Sequence, residues 1–511
     1  MPLRDGGDRS SSSRGAPDRA RRYRRERHRR RAGLGGRRPG VSPAARRDGA
    51  PPGDALHEPL HEHHASLQGR RLRPRVPEAP SRLEPCLRPR PGSGLDPPGR
   101  LGASAGRGRS RRGDRRRVQV IRHAEVVIIG GGVIGVSIAF HLAGAGVRDV
   151  LLVERRFLAS GGTGRSVGIV RQLYPTPETS QMVVRSLAVF QRFHDAVGGG
   201  ESGYVGCGVV IGVSTAMRPK LEETVRLQRS LGVRAEVLEP GEVVKIERRI
   251  NPENLGAVLY EPESGYGDPT AVTTGYADAA RRRGVRIEQG VEVVAIRTAG
   301  DRVTGVETAA GERIDAPVVV NAAGLWSTAV ARLAGVALPI IVGRHPVFVV
   351  ERDASFGRPH LVYLDLAGGS YARPETGGLT LTGSLTDDET RHPMEPDLLG
   401  GDVSLDEAAD VLARTSRAIP RLADARYRRG WAGAFDITPD WMPILDESPL
   451  RGFWIATGMS GHGFKLSPAV GEMMAALITG AAPQVNPAPF ALGRFSAKSS
   501  SGTFVASYLG S

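Results

Sequence analysis

The chain has 511 residues, with 70 Lys+Arg against 54 Asp+Glu and a formal net charge of +16, a length that allows two or three domains around a large core. Its two cysteines, Cys86 and Cys207, exclude a disulfide scaffold and any cysteine-rich zinc or iron–sulfur centre, and no metal site is expected. No stretch approaches the ~18 consecutive apolar residues of a membrane span and no secretory signal is visible, so a soluble cytoplasmic protein is the expectation.

The charge is concentrated in residues 1–122, which hold 32 Arg, no Lys and 12 acidic residues, a net +20 that leaves −4 for the remainder. Overall basicity is therefore no argument that the globular part binds nucleic acid or an acidic membrane. The arm is Arg, Pro, Gly, Ser and Ala with one aromatic residue, Tyr23, and no sustained apolar period. Such a composition cannot offset its ordering entropy, and disorder is expected. Three readings compete. A nucleic-acid-binding arm would use the Arg runs at 21–31 and 109–117, but lysines and stacking aromatics are missing. A mitochondrial transit peptide should be acid-poor. The third, a start assigned upstream of the true one near Val118 in a GC-rich gene, is favoured by the four lysines of the whole chain (Lys220, Lys245, Lys465, Lys498). Deleting residues 1–117 is then expected to leave folding and activity intact; an insoluble or inactive truncation refutes that reading.

At Ala124 the composition changes. Residues 125–129 are a short β-branched run, read as a buried parallel strand. Gly130-Gly131-Gly132-Val133-Ile134-Gly135 follows, opening a helix over 133–145, and a second apolar strand over 150–153 ends at Glu154. Gly130 permits the tight turn, Gly132 lets backbone N–H groups approach a pyrophosphate, and Gly135 lets helix and strand pack closely. The helix N-terminus offers partial positive charge to phosphates. Glu154 is placed to accept hydrogen bonds from a ribose and would repel a 2′-phosphate. A lone GxGxxG is a weak signal, but here strand, loop, helix, strand and acid agree; FAD and NAD both remain open.

Residues 293–296, 303–308 and 312–316 read as a β-meander, and an apolar strand over 318–321 runs into Ala322-Ala323-Gly324. A meander returning to a glycine at the sheet's carboxyl end suits a longer dinucleotide than a minimal NAD domain handles. A strand over 453–457 leads into Gly458-Met-Ser-Gly-His-Gly-Phe-Lys465, after which a helix is expected with Ser467 as N-cap and Pro468 at its first position. That helix end could stabilise the negative charge of a reduced flavin, or simply be an ordinary capped helix.

Taken in order, these segments resemble the D-amino-acid-oxidase-like FAD-dependent oxidoreductases, and within them the sarcosine oxidase, dimethylglycine dehydrogenase and amino-acid dehydrogenase β-subunit branch. The resemblance rests on residues 128–135, 160–171, 321–326, 370–374, 438–440 and 460–465 and covers roughly 123–490. It implies an α/β fold: a Rossmann-type FAD-binding domain with an interleaved α+β substrate domain carrying a large mixed β-sheet, its pieces at about 204–262 and 337–428, and a tail over 491–511. It also implies FAD on Gly130, Gly132, Gly135, Glu154, Ser160, Thr163 and Gly164, with Val293 on the adenine side. Ala323 and Gly324 would approach the pyrophosphate, and Gly461, His462, Gly463 and Phe464 the isoalloxazine. Arg171 and Lys465 match the positions that hold a substrate carboxylate in sarcosine-oxidase-like enzymes, and two cations fixing a carboxylate would place the amine-bearing carbon for hydride removal. His462, between two glycines, reads as loop geometry or flavin contact rather than a base. Asp440 and Asp446 read as turn-shaping.

Departures from the family pattern are informative. The covalent-flavin cysteine of monomeric sarcosine oxidases falls near Gly433, so FAD is expected to be non-covalent. The lysine associated there with oxygen reactivity falls near Thr380, which leaves oxidase and dehydrogenase both open, with O2 or a partner protein as acceptor and a hetero-oligomer possible. The first arginine of an Arg-x-x-Arg pattern is Gly168. The expected reaction is oxidation of the C–N bond of a small amine or amino acid such as sarcosine, dimethylglycine or proline. The alternatives are a dehydrogenase subunit for D-amino or hydroxy acids, and a flavoprotein assembly factor without turnover.

Overall fold

In the computed structural model, which describes residues 121–387, 391–496, 502–503 and 506–509, the apolar runs form the interior of a six-stranded sheet. Its order is Ile444–Glu447, Phe453–Thr457, Val318–Asn321, Val126–Ile129, Val150–Glu154, Arg286–Gln289. All neighbours are parallel except the antiparallel pair at the Ile444–Glu447 edge. The central strands are buried on both faces and therefore read as continuous apolar runs. The edge strand Arg286–Gln289 carries alternating charge and is half-exposed, so it has no such signature.

Helix Val133–Gly144 is apolar nearly all round because it is covered by the sheet and by helices Pro269–Arg282 and Gly463–Thr479. Fully burying each of its Val, Ile, Leu and Phe side chains contributes roughly 1.5–3 kcal/mol. The crossing with Gly463–Thr479 is tight: a Cβ on Gly471 would lie 2.1 Å from Ser137 Oγ, and that hydroxyl donates to Ser467 O at 2.8 Å.

The second helix corrects one expectation. It begins at Gly463 with His462 as N-cap, and Pro468 lies inside it. Proline cannot donate to the carbonyl one turn back, but the Ser467 hydroxyl donates to Phe464 O at 2.8 Å. Ser467 thus repairs the helix at the proline instead of starting it.

The meander Val293–Ala299, Arg302–Thr308, Arg313–Asp315 is completed by Ile121–His123, which pairs in parallel with Arg313–Asp315. Ile121 and Arg122, assigned to the arm by composition, therefore belong to a sheet, and Arg122 is anchored to Glu288. The remainder of the arm and its three readings lie outside the described residues. An eight-stranded mixed sheet has the order Arg426–Ile437, Ile341–Glu351, Leu379–Ser384, Ser370–Pro374, Val362–Asp365, Val209–Val213, Ala257–Glu261, Glu236–Leu238. It is antiparallel except between Val362–Asp365 and Val209–Val213. Its first strand runs through residue 428 to Ile437. This is the α/β architecture of dinucleotide sheet plus large mixed sheet that the motifs imply. No helix among the described residues is long and apolar enough to cross a membrane.

His360 lies buried beneath the large sheet, its Nδ1 2.6 Å from Leu361 O and its Nε2 2.9 Å from Thr380 Oγ1. Burial pushes its pKa down to about 4, so the folded protein holds it neutral while the unfolded chain binds a proton below pH ~6.5. Stability is therefore expected to fall as pH drops from ~6.5 towards 4, by up to about 3 kcal/mol from this residue. Denaturant titrations across that range should show a shallower loss in H360Q than in the parent protein.

Candidate functional site

Strand Val126–Ile129 delivers the chain to Gly130, whose φ of +118° puts an added Cβ 2.4 Å from Ala322 O. At Gly135 the Cβ would lie 2.0 Å from Gly130 O. Only glycines allow the turn and the close start of helix Val133–Gly144. Gly132 supplies no side-chain cap, and the first turn has no acid. Val133 N instead donates to Thr163 Oγ1 (3.1 Å). Glu154 is fixed by Gly131 N and Arg156 N, both at 2.8 Å, with Ser160 Oγ at 3.4 Å. The helix end, with its partial positive charge, opens on a cavity of about 520 Å³, within the ~300–1,000 Å³ usual for cofactor sites.

That cavity brings together Gly130, Gly132, Glu154, Ser160, Thr163, Val293, Ala323, Gly324, Gly461, His462, Gly463, Phe464, Arg171 and Lys465. Gly135 and Gly164 do not line it. Both are packing glycines, a Cβ on Gly164 falling 2.5 Å from Ala159 O. Gly433 lines the cavity, whereas Thr380 does not: it is buried against Arg352 and His360. Gly168 has φ +69° and a Cβ position 2.2 Å from Gly267 O, so no arginine could stand there. Asp440 accepts from Thr438 Oγ1 and Met442 N and pairs with Arg494, shaping its turn; Asp446 instead lies within strand Ile444–Glu447 and accepts from the distant Leu492 N.

Several lining residues escaped the motif reading. At the Glu154 end, Arg155 lies over the Trp326 ring (4.3 Å). Asp397, outside the lining, braces this end: it accepts from Trp326 Nε1 (2.9 Å) and Arg155 Nη2 (2.6 Å). At the Lys465 end, His345 stacks on Phe435 at 4.3 Å and its Nε2 lies 3.5 Å from Tyr371 Oη. Tyr371 sits inside one of the quoted motifs; His345 and Phe435 are inward positions of long strands, and Tyr508 has no local signal at all.

The cations are the electrostatic centre of the site. Arg171 follows the short strand Ile169–Val170 and is 1% exposed. Its Nη1 donates to Leu173 O, its guanidinium contacts the rings of Tyr174 (4.4 Å) and Tyr508 (3.6 Å), and its Nη2 has no hydrogen-bond partner. Lys465, in the first turn of its helix, is buried with Nζ 3.3 Å from Gly461 O. Burial, then the Arg171 charge, hold its pKa well below the usual lysine range. His462 is pushed well below its ordinary value by burial, then by Lys465 and Arg171, and neither ring nitrogen is hydrogen-bonded. Among the described residues neither Arg171 nor Lys465 pairs with a carboxylate. A buried guanidinium without counter-charge is costly, and an anion beside it would also favour the protonated form of Lys465, so the electrostatics of this pocket suit an anion.

The chain is similar to known proteins. Human mitochondrial sarcosine dehydrogenase is 30% identical over 384 residues, covering 73% of this chain and 41% of that protein. The sarcosine oxidase subunit beta of Rhizobium meliloti (strain 1021) is 30% identical over 388 residues, covering 73% and 88%. Thus the chain spans under half the length of the first of these curated relatives and most of the second. Among solved structures, L-proline dehydrogenase from P. horikoshii is similar with a TM-score of 0.67 and 26% identity, covering 74% of this chain and 99% of that one. Residues 125–477 match the family described as FAD dependent oxidoreductase; with the glycine turn and the cavity it feeds, that match shows that the chain belongs to this DAO family.

Proposed function

We propose that the protein oxidises the C–N bond of a small amino acid or amine that carries a carboxylate, of the sarcosine, dimethylglycine or proline kind. The observation that carries this is the pair of buried basic side chains, Arg171 and Lys465, facing the cavity that the glycine turn opens into. The protein leaves groups that a flavin dinucleotide would satisfy: a helix end whose N-cap, Gly132, has no side chain and whose first turn has no acid, and both nitrogens of His462. Glu154, held by Gly131 N and Arg156 N, would take the adenosine ribose, with Val293 on the adenine side. Gly130, Gly132, Thr163, Ala323 and Gly324 would hold the pyrophosphate, and Gly461 to Phe464 the isoalloxazine. Among the described residues no cysteine lines the cavity, in keeping with non-covalent binding.

FAD supplies the hydride acceptor. Arg171 Nη2 and Lys465 Nζ hold the carboxylate and so fix the orientation of the amine-bearing carbon. The Arg171 charge disfavours an ammonium beside it, so the substrate is held as the neutral amine whose lone pair assists hydride departure. His462, kept neutral, adds no further charge. Water then hydrolyses the released imine. The names of the relatives, sarcosine dehydrogenase, sarcosine oxidase subunit beta and L-proline dehydrogenase, support this substrate class. The second name also supports assembly with other subunits, with O2 or a partner protein as acceptor.

Anaerobic addition of sarcosine, dimethylglycine, proline and a set of D-amino acids to the purified protein is the test. We expect the oxidised flavin absorbance to bleach with one of the first three. A bound flavin that stays oxidised with all of them sinks the proposed reaction class.

A further inference from the structure

We propose that Tyr508, on the short helical segment Ala506–Leu509, is a positioning residue of the carboxylate site: its ring holds the Arg171 guanidinium and closes the substrate end of the cavity. The inference rests on the function proposed above and adds to it a segment beyond residues 125–477, the stretch that matches the family.

The segment packs into the fold, and the chain a few residues before it is tied down as well. Gly502 N donates to Pro439 O at 2.6 Å. Leu509 and Tyr508 are 2% and 5% exposed and pack in the apolar cluster that contains Leu221, Val225, Ile437 and Trp441. Tyr508 therefore reaches Arg171 from an anchored base. Its ring centroid lies 3.6 Å from the guanidinium carbon, nearer than the 4.4 Å of Tyr174, and the ring forms part of the cavity wall.

A guanidinium has five N–H donors and two faces. Here Nη1 is committed to Leu173 O, rings cover the cation, and Nη2 is the donor left without a partner. The ring does two things for that donor. It restricts the side chain to the rotamer in which Nη2 is free for an incoming oxygen, and it keeps water off the cation, which strengthens any charge–charge contact made there. A ring in that place also shortens the space beyond the carboxylate, so the site favours small carboxylates over bulky ones.

The experiment uses the full-length holoprotein and sodium acetate as a probe, with the flavin absorbance spectrum reporting occupation of the site. Y508A and Y508L are expected to weaken acetate binding about tenfold, the size of a desolvated cation–π contact, while Y508F stays within about threefold of the parent protein. Flavin content and melting temperature in Y508L, which keeps the side-chain bulk, separate loss of positioning from loss of folding. Acetate affinity unchanged in a folded Y508L overturns the proposal, and so does tighter acetate binding or a higher kcat/KM in Y508A, which would mark the segment as an obstruction. R171A separates the two levels of inference. If it weakens acetate and Y508L does not, only the role of Tyr508 fails; if R171A leaves acetate binding unaltered, the carboxylate site itself is wrong.

Discussion

G135A is expected to purify without flavin. The added methyl would sit 2.0 Å from Gly130 O, so helix Val133–Gly144 must move away from the turn that feeds it. Neither side of that contact can yield cheaply. The obstacle is backbone, Gly130 is itself pinned with its own Cβ position 2.4 Å from Ala322 O, and the helix is wedged among other helices on its far side. Displacing the helix moves the N–H groups of its first turn off the phosphates they would serve. The expected loss of flavin affinity is at least about 100-fold, together with the ~1–3 kcal/mol of stability that overpacking usually costs. G146A is the control. Gly146 also has a positive φ (+93°), but nothing lies within 4 Å of its Cβ position. It should lose roughly 1–2 kcal/mol from left-handed strain alone and keep its flavin. Flavin absorbance per mole of protein for the two variants is the check; equal retention would remove close packing from the account of Gly135.

R171A is expected to bind flavin normally and to fail on substrate. The lost contact is a charge-assisted hydrogen bond in a buried pocket, worth about 1.5–3 kcal/mol, so kcat/KM for a carboxylate substrate should fall about 10- to 100-fold. R171K should be intermediate, because lysine keeps the charge but neither the planar fork nor the stacking on Tyr174 and Tyr508. A second signature follows from coupling. Arg171 is one of the two causes that hold the Lys465 pKa down. Removing its charge should let that pKa rise, so the fall in carboxylate binding that follows deprotonation of Lys465 should move to higher pH. An unchanged kcat/KM takes Arg171 out of the site, and a lower kcat/KM with no movement of the pH profile separates it from Lys465.

The dinucleotide half of the fold was legible because its central strands are buried on both faces. Val126–Ile129, Val150–Glu154, Val318–Asn321 and Phe453–Thr457 stand out as apolar runs whatever lies around them. Edge strand Arg286–Gln289, polar and half-exposed, gave no such signal. Ser467 and Pro468 misled because the pair is a standard helix opening. Here the helix starts a turn earlier, and the serine hydroxyl satisfies the carbonyl that proline frees. In the site, residues tied to a backbone requirement were readable, as with Gly130 and Gly135. Those brought in by tertiary packing were not: His345 and Phe435 meet across adjacent strands, and Asp397 reaches Trp326 and Arg155 from a distant loop. Gly164 lies outside the cavity lining and is required by close packing against Ala159 O.

The interleaving of the cofactor sheet has a consequence for biosynthesis. Its strands come from early, middle and late parts of the chain, and Phe453–Thr457 is the neighbour of Val318–Asn321. At ~5–20 residues per second, translation separates the emergence of the Gly130 turn from that of Lys465 by tens of seconds. Throughout that time one edge of the sheet stays unpaired and an apolar face uncovered. The cofactor cavity, lined by residues from Ile129 to Lys465 and Tyr508, is complete only when synthesis is nearly finished, and until then the chain carries the exposed apolar surface that favours aggregation.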